Sequence, residues 1–220
     1  MIVYGRNPVR EALRGRRDVG QVWETPETSA EEIERLCGSP DHQGICAEVA
    51  PYPYADADSL LDAHDALVVC LDEVQDPQNL GAVCRVAEAA GAAGVVIPER
   101  RSAEVTPATC KASAGAVEHL PVARVRNLAD WLTAAKEREA WVYGAAVEGA
   151  HYAEPDYRGR VVLVLGSEGK GLRTRVAGSC DALIALPQRG RVGSLNVSAA
   201  AAALMYGILH FRERGVDRGP

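Results

Sequence analysis

The stretch that decides the fold of this chain lies near its carboxyl end and reads Leu186-Pro187-Gln188-Arg189-Gly190-Arg191-Val192-Gly193-Ser194-Leu195-Asn196-Val197-Ser198. An apolar strand is predicted over 182–186 and stops at Pro187. A loop rich in glycine and arginine follows, and then a helix of alanine, leucine and methionine that runs to about Phe211. Ser194 and Asn196 stand where that helix should begin, and such residues usually act only as N-caps. Capping explains one polar residue but not the whole loop, so a ligand site is the competing interpretation.

Short apolar segments alternate with helical segments through the preceding two thirds of the chain. Predicted strands cover 66–71, 94–97, 120–125, 141–145, 161–165 and 182–186, and predicted helices cover 77–90, 106–114 and 128–138. Strands that are apolar throughout and alternate with helices indicate a parallel sheet covered on both faces. The predicted fold class is therefore α/β, with helices on both faces of a parallel sheet.

A small first unit is predicted over residues 1–55. It contains a helix over 7–13, a strand over 20–23, a second helix over 30–37 and a strand over 44–49. Because a unit of this size buries too little apolar surface to be stable alone, it either rests on the remainder of the chain or moves freely. The run Pro51-Tyr52-Pro53-Tyr54 leads into a linker, predicted over 56–65, ahead of the α/β domain at 66–220.

Composition limits the classes of partner and the compartment. The formal net charge is −6, so no global positive field attracts the chain to nucleic acid, and any RNA contact needs a local basic patch. The six cysteines form no CxxC pair, which indicates neither a zinc site nor a disulfide framework and fits a reducing cytoplasm. No signal peptide and no apolar run of membrane length is present. We therefore predict a cytoplasmic protein with no membrane partner.

Polar clusters follow three of the predicted strands, at the edge of a parallel sheet where ligands bind. The first cluster runs over 72–79, the second over 166–171, and the third is the loop quoted above. We expect the three loops to form one composite pocket. Asn79 and Arg85 lie six residues apart on the first helix and are expected to face that pocket together, although a cap and a surface arginine would explain each of them singly.

The second loop, Gly166-Ser167-Glu168-Gly169-Lys170-Gly171, invites an interpretation as a phosphate loop. A Walker A loop needs a glycine six residues before its lysine and a serine or threonine after it. Val164 and Gly171 occupy those places, and no GxGxxG follows the first strand of the α/β domain, so both nucleotide fingerprints are excluded. What remains is a backbone that a ligand can approach closely, or a plain tight turn.

Three motifs occur in order along the chain: Asp76-Pro77-Gln78-Asn79-Leu80-Gly81-Ala82-Val83-Cys84-Arg85, Leu165-Gly166-Ser167-Glu168-Gly169-Lys170-Gly171-Leu172 and Ser194-Leu195-Asn196-Val197-Ser198. Together they resemble the motifs of the SpoU (TrmH) branch of the SPOUT RNA methyltransferases. The resemblance covers 67–211. The run Lys111-Ala112-Ser113-Ala114-Gly115-Ala116-Val117-Glu118 resembles a segment of the subgroup that methylates a guanosine ribose of 23S rRNA. Tyr4-Gly5-Arg6-Asn7-Pro8-Val9 and His42-Gln43-Gly44-Ile45 resemble that subgroup's ribosomal-protein-L30e-like substrate-binding domain, here shortened.

The resemblance implies a deep trefoil knot at the carboxyl end of the α/β domain, a homodimer, and S-adenosylmethionine as methyl donor, without a metal. By motif the catalytic positions are Asn79, Arg85, Glu168, Ser194 and Asn196, and the cofactor-binding positions are Gly166, Leu186 and Leu195. Methyl transfer to a ribose 2′-hydroxyl needs alignment of the oxygen and removal of its proton. Because guanidinium is effectively always protonated, we expect Arg85 to hold the target phosphate or to lower the effective pKa of the hydroxyl.

Three arginines are predicted to contact RNA: Arg6 in the first unit, and Arg189 and Arg191 in the basic third loop. A solvated loop is an equal alternative for the latter two. The leading hypothesis is an S-adenosylmethionine-dependent ribose 2′-O-methyltransferase that acts on a guanosine of 23S rRNA. The alternatives are a tRNA ribose 2′-O-methyltransferase and a non-catalytic RNA-binding or ribosome-assembly factor with the same fold.

Overall fold

The computed structural model describes residues 1–216. In chain order its elements are β1 (Ile2–Tyr4), α1 (Arg6–Arg14), β2 (Val19–Glu24), α2 (Ala30–Cys37), β3 (Ile45–Val49), β4 (Leu67–Asp72), α3 (Pro77–Ala89), β5 (Gly94–Pro98), α4 (Pro107–Ala112), β6 (Val122–Val125), α5 (Leu128–Glu137), β7 (Trp141–His151), β8 (Val161–Gly166), α6 (Thr174–Ser179), β9 (Ala182–Ala185) and α7 (Val197–Val216). The strands form a three-stranded antiparallel sheet and a six-stranded parallel sheet.

The six-stranded sheet has the spatial order β6-β5-β4-β8-β7-β9. The chain moves outward from β4 to β6 and then returns to fill the other side, so the strand order reverses between β4 and β8. Those two strands pair over six residues, from Leu67 with Val161 to Asp72 with Gly166. Ligands bind beyond the carboxyl ends of parallel strands at such a reversal, and this is where the first and second polar loops leave the sheet.

Alternate side chains of the central strands enter two separate cores. In β4, Leu67, Val69 and Leu71 join the core under α3, α4 and α7, while Val68 and Cys70 join the core under α5 and α6. All six residues of β4 are buried, as expected for a strand that is covered on both faces. The predicted fold class, a parallel sheet with helices on both faces, is confirmed.

The first unit rests on the α/β region and shares its core. Val9 and Val49 belong to the same buried cluster as Leu80 on α3. Arg17 and Glu118 form an ion pair between the unit and the segment after α4, and their side chains are 2% and 1% exposed. The structure therefore agrees with the first of the two alternatives, in which this small unit rests on the remainder of the chain.

The segment predicted as a linker, 56–65, is anchored along its length. Leu60 and Leu61 lie in a short 3-10 turn and are buried in the core under α5. Trp131 donates a hydrogen bond from its indole nitrogen to Asp58 at 3.0 Å. The prolines at 51 and 53 favoured a linker here, but the apolar pair Leu60 and Leu61 anchors the segment. The division into domains stays a prediction.

Several elements differ from the predicted ones, and helix α6 was not predicted. Strand β1 was missed because three residues are too few to show alternation. Strand β6 begins at Val122, not at 120, because Pro121 has no N–H to donate to the sheet. Strand β7 extends to His151, beyond the predicted end at 145, and bulges on the way, since Ala145 and Ala150 both pair with Ile184. Along residues 1–216, no helix has the length and apolarity needed to span a membrane.

Candidate active site

The first loop turns Asn79 toward the edge of the sheet. Asp76 is the N-cap of α3, where its carboxylate accepts a hydrogen bond from the Gln78 backbone N–H at 2.9 Å, and Pro77 occupies the first turn. Both are preferred at those places. Because Asp76 caps the helix, the Asn79 side chain is free for other contacts, and the alternative of Asn79 as a cap does not hold.

The second loop is a tight turn closed by its own backbone. The Gly171 N–H donates to the Ser167 carbonyl at 2.9 Å, and a Cβ atom on Gly166 would come within 2.1 Å of the Gly171 carbonyl carbon. Only glycine at 166 permits this approach. The close contact brings the two ends of the loop together and sets the position of Glu168 between them.

A buried carboxylate ties the second loop to the end of β4. Asp72 is fully buried and accepts from the Arg173 backbone N–H at 2.8 Å and from its guanidinium at 2.6 and 2.7 Å. The hydrogen bond to Asp72 raises the pKa of Arg173. Asp72 lies in the first predicted cluster, but its pairing with Arg173 was not predicted, because an Asp and an Arg separated by 101 positions carry no local pattern.

The third loop positions Asn196, whose side-chain oxygen and nitrogen make two separate sets of hydrogen bonds. Its side-chain oxygen accepts from the Ser198 N–H at 2.9 Å and from the Ala199 N–H at 3.3 Å, which caps α7. Its side-chain nitrogen donates to Glu168 at 2.5 Å and to the Asn79 side-chain oxygen at 2.9 Å. Because the cap requires the oxygen to face α7, the amide nitrogen must face the other two residues.

The side chains of Asn79, Glu168 and Asn196 close into a ring, which we call the polar ring. Asn79 completes it by donating to the same Glu168 oxygen, Oε1, at 3.2 Å. Each of the three sequence loops that were expected to form one pocket contributes to this ring or to its support. Oε1 of Glu168 thus carries two amide donors, whereas no bond within residues 1–216 involves Oε2.

A cleft of about 490 Å³, the larger cleft, opens on one side of the polar ring. All three predicted cofactor positions and three of the five predicted catalytic positions line it: Gly166, Leu186, Leu195, Glu168, Ser194 and Asn196. Ile184 and Leu204 add apolar wall, and so does the β7 bulge through Ala145, Ala146 and Val147. The bulge was not predicted to line a site, because the polar and small residues that follow Ala145 interrupt the strand pattern.

A second cleft of about 250 Å³, the smaller cleft, opens on the other side. Its lining comes from the first and second loops: Glu73, Val74, Gln75, Asp76, Asn79, Ser167, Glu168 and Lys170. Ser167 and Glu168 line both clefts, so the second loop forms the wall between them. The two clefts are therefore adjacent, and Glu168 of the polar ring is accessible from both.

Arg85 does not join this arrangement. It is exposed on α3, lines neither cleft, and has no hydrogen bond or ion pair in the part of the chain that the structure describes. Six residues along a helix turn the side chain by about 600°, which leaves it some 120° from Asn79 and about 9 Å further along the axis. The expectation that both residues face one pocket is therefore not met within this chain.

The predicted RNA-contacting arginines lie outside the polar ring. Arg189 and Arg191 are exposed on the third loop, in which Gln188 lines the larger cleft. Arg6 is exposed at the start of α1, where its guanidinium donates to the Gln43 carbonyl at 3.4 Å. Between residues 1 and 216 there is no group of three or more His, Cys, Asp and Glu side chains that could hold a metal ion.

The chain matches the model of the SpoU rRNA Methylase family over residues 66–206. Two similar proteins carry names of the same kind. One, from Bacillus subtilis, is named as a TrmH family tRNA/rRNA methyltransferase, and it is 40% identical over 96% of this chain and 95% of its own length. The other, from Synechocystis, is named as a tRNA/rRNA methyltransferase and is 39% identical over 99% of this chain. The chain spans 64% of that protein's length.

A solved structure has the same fold over nearly the whole chain. It is the SpoU methyltransferase AviRb from Streptomyces viridochromogenes, in complex with the cofactor AdoMet. Its TM-score is 0.81 at 26% sequence identity, and the alignment covers 97% of this chain and 90% of AviRb. The first unit is included in that coverage, since the α/β region alone is much shorter.

Proposed function

The chain belongs to the SpoU rRNA methylase family and is an RNA methyltransferase, and we propose that it transfers a methyl group from S-adenosylmethionine to a ribose 2′-hydroxyl of RNA. The observation that carries this proposal is the polar ring of Asn79, Glu168 and Asn196 at the wall between two clefts. Such a wall is where an atom of a cofactor and an atom of a substrate can be brought into line.

The larger cleft suits S-adenosylmethionine in shape and charge. Its walls are mainly apolar, with Leu186 and Leu195 among them, and Gly166 leaves backbone groups accessible. Glu168 is the one charged side chain among its lining residues, so the cleft favours a cation such as a sulfonium. When bound, S-adenosylmethionine supplies the electrophilic methyl group. The complex of AviRb with AdoMet supports the same assignment.

We assign Glu168 to the orientation of the ribose hydroxyl. Two amide hydrogen bonds fix Oε1 of the carboxylate, which leaves Oε2 to accept a hydrogen bond from the hydroxyl. Asn79 and Asn196 hold the carboxylate in place, and Ser194 lies on the cofactor side. Alignment of this kind, rather than a strong base, is the contribution that the polar ring makes to the reaction.

Arg85 is assigned to the phosphate of the target RNA. It is exposed and without an intramolecular partner in residues 1–216, and a guanidinium suits bidentate binding of a phosphate. Arg85→Lys tests this role, because a lysine keeps the charge but not the planar pair of donors. Near-normal turnover of the lysine variant, with normal cofactor affinity, would contradict bidentate binding.

The proposed target is a guanosine of 23S rRNA. The segment at 111–118 and the first unit carry this finer assignment. Arg6, Arg10 and Arg14 are exposed and four residues apart on α1, so they form a basic stripe that can contact RNA phosphates. The tRNA enzyme is the second candidate, since the bacterial relatives are named for tRNA and rRNA alike.

Two further features of the family enter as proposals, a homodimer and a carboxyl-terminal trefoil knot. Val192, Leu195 and Tyr206 are 75%, 47% and 53% exposed on the third loop and α7, and apolar exposure of this kind favours association with a second copy. Sedimentation equilibrium tests the dimer. The return of Asn196 from edge strand β9 to the centre of the sheet supports the knot.

The deciding experiment incubates the protein with labelled S-adenosylmethionine and unmodified rRNA or tRNA, and then maps 2′-O-methyl positions. Methylation of one guanosine in 23S rRNA is the expected result, and methylation confined to tRNA would select the second candidate. Absence of cofactor binding by calorimetry at millimolar concentration would instead favour the non-catalytic assembly factor.

A further inference from the structure

The smaller cleft borders the polar ring, and the proposed function assigns no ligand to it. If the cofactor occupies the larger cleft, as proposed above, the reacting hydroxyl must approach Glu168 from the other side of the wall. The smaller cleft lies on that side and shares Ser167 and Glu168 with the larger one. On the proposed function, it is therefore the candidate entry for the target nucleotide, and its lining residues are the candidates for contact with that nucleotide.

The carboxylates of the smaller cleft are already engaged by the protein. Glu73 lies 3.3 Å from Arg173 and 3.6 Å from Arg101. Asp76 caps α3, and Glu168 is held by two amides. These bonds reduce the repulsion that three carboxylates would otherwise exert on an anionic RNA.

Lys170 faces the same cleft without such a partner. The chain has three lysines. Lys111 donates to the Asp41 carbonyl at 2.7 Å, and Lys136 lies 3.5 Å from Asp181. Lys170 is exposed, and no hydrogen bond or ion pair with another residue of the described chain satisfies its ammonium group.

The backbone that carries Lys170 is held in place. It lies within the Ser167–Gly171 turn, between Gly169 and Gly171, both of which have positive φ angles of 77° and 66°. An ammonium group on a fixed turn loses less freedom on binding than one on a free loop. Lys170 is therefore better placed to contact a ligand than to stabilise the fold.

We propose that Lys170 binds a backbone phosphate of the target nucleotide and so seats its ribose against the polar ring. Ribose and bases are neutral, and phosphate is the group of RNA that carries charge and that a compact ammonium binds best. This inference rests on the proposed function, and it adds a substrate-binding residue that the three family motifs do not include among their functional positions.

Lys170→Gln is the direct test. We expect the KM for RNA to rise roughly tenfold, the size of one charge-assisted contact, with kcat at saturating RNA and the Kd for S-adenosylmethionine changed less than about twofold. The dependence of RNA affinity on salt should weaken, with the slope of log K against log salt falling by about 0.7 to 0.9 for one lost phosphate contact. Lys170→Arg should restore most of the affinity, and Lys136→Gln is the matched control.

Acetylation of the native protein provides a second measurement, because only three lysines and the amino terminus compete. Lys170 should be the most reactive of them, and bound RNA should protect it while Lys136 stays unchanged. An active wild-type enzyme whose Lys170→Gln variant keeps its KM and its salt slope would overturn this assignment and leave methyl transfer intact.

Two other results are separable from that one. A wild-type protein that binds RNA but transfers no methyl group would overturn the proposed function, and protection of Lys170 would still decide the phosphate contact. If Lys170→Gln also lost cofactor binding, the substitution would have disturbed the turn. Protection of Lys170 from acetylation by RNA in the wild-type protein would then decide whether Lys170 contacts the phosphate. Absence of protection there would contradict the contact.

Discussion

The side-chain amide of Asn196 donates to Glu168 at 2.5 Å while its oxygen caps α7 through the Ser198 and Ala199 N–H groups. A single residue therefore fixes both the start of the carboxyl-terminal helix and the orientation of the carboxylate between the two clefts. Because the side-chain oxygen caps α7 and the side-chain nitrogen binds Glu168, a substitution that changes only one of these atoms separates the two roles.

Asn196→Asp should separate the cap from the polar ring. An aspartate keeps the oxygen that caps α7, so stability should change by less than about 1 kcal/mol, the value of a whole cap. It replaces the amide donor with a second carboxylate beside Glu168, and methyl transfer should fall by at least about tenfold. Thermal unfolding and single-turnover methylation measure the two effects.

The control for that variant is Asn127→Ala. Asn127 caps α5 by accepting from the Ala129 N–H at 3.1 Å and lines neither cleft of the polar ring. It should lose about 1 kcal/mol of stability and keep its activity. Full activity in Asn196→Asp would show that the bond to Glu168 is not needed for the reaction.

Arg173→Ala should loosen the second loop and weaken cofactor binding. The substitution leaves the buried carboxylate of Asp72 without its guanidinium. Breaking a fully buried pair costs about 3 to 5 kcal/mol, and we expect about 2 kcal/mol here because Arg173 is 44% exposed and water screens part of the interaction. Urea unfolding and calorimetry with S-adenosylmethionine are the measurements.

Arg175→Ala is the matched control for this pair. Arg175 lies two residues further along and pairs at 2.6 Å with Asp130, with both side chains more than half exposed. Its loss should cost less than about 1 kcal/mol and leave the Kd for the cofactor unchanged. Equal stability losses in the two variants would argue against a role for Asp72 in holding the loop.

Gly166→Ala should disrupt the turn without touching its charged residues. The added methyl group would lie 2.1 Å from the Gly171 carbonyl carbon and 2.4 Å from the Leu172 nitrogen, so the backbone must shift. Overpacking of this kind costs about 1 to 3 kcal/mol, and cofactor affinity should fall with it. Gly178→Ala has no atom within 4 Å of its new methyl group, and it should keep affinity and gain slightly in helix stability.

Glu118→Gln should weaken the attachment of the first unit. The ion pair with Arg17 is almost wholly buried, and removal of one partner leaves a buried charge at a cost of about 3 to 5 kcal/mol. We expect faster proteolysis within the first unit and weaker RNA binding, with cofactor affinity unchanged. The double variant Arg17→Met with Glu118→Leu should recover most of the stability, and its failure to do so would contradict a simple charge-burial effect.

Hydropathy alone was enough to locate the α/β fold and the edge of the site. Strands such as Leu67–Asp72 are apolar throughout, and only burial between two helical layers accounts for such segments. Polar loops that follow such strands must gather at one edge because the strands are parallel. Those two facts predict neighbouring positions for the loops that carry Asn79, Glu168 and Asn196.

Contacts between distant residues were decided by the tertiary structure. The strand order β6-β5-β4-β8-β7-β9 brings Asn79 and Asn196 together across 117 positions and Asp72 and Arg173 across 101. Apolar strands look alike in sequence, so their order has no local signature. The direction of Arg85 is different, because helix periodicity alone places a residue six positions from Asn79 some 120° away from it. Sequence thus determined the elements and their chemistry, because both depend on local pattern, whereas strand order and the contacts between distant loops depend on how those elements close on one another.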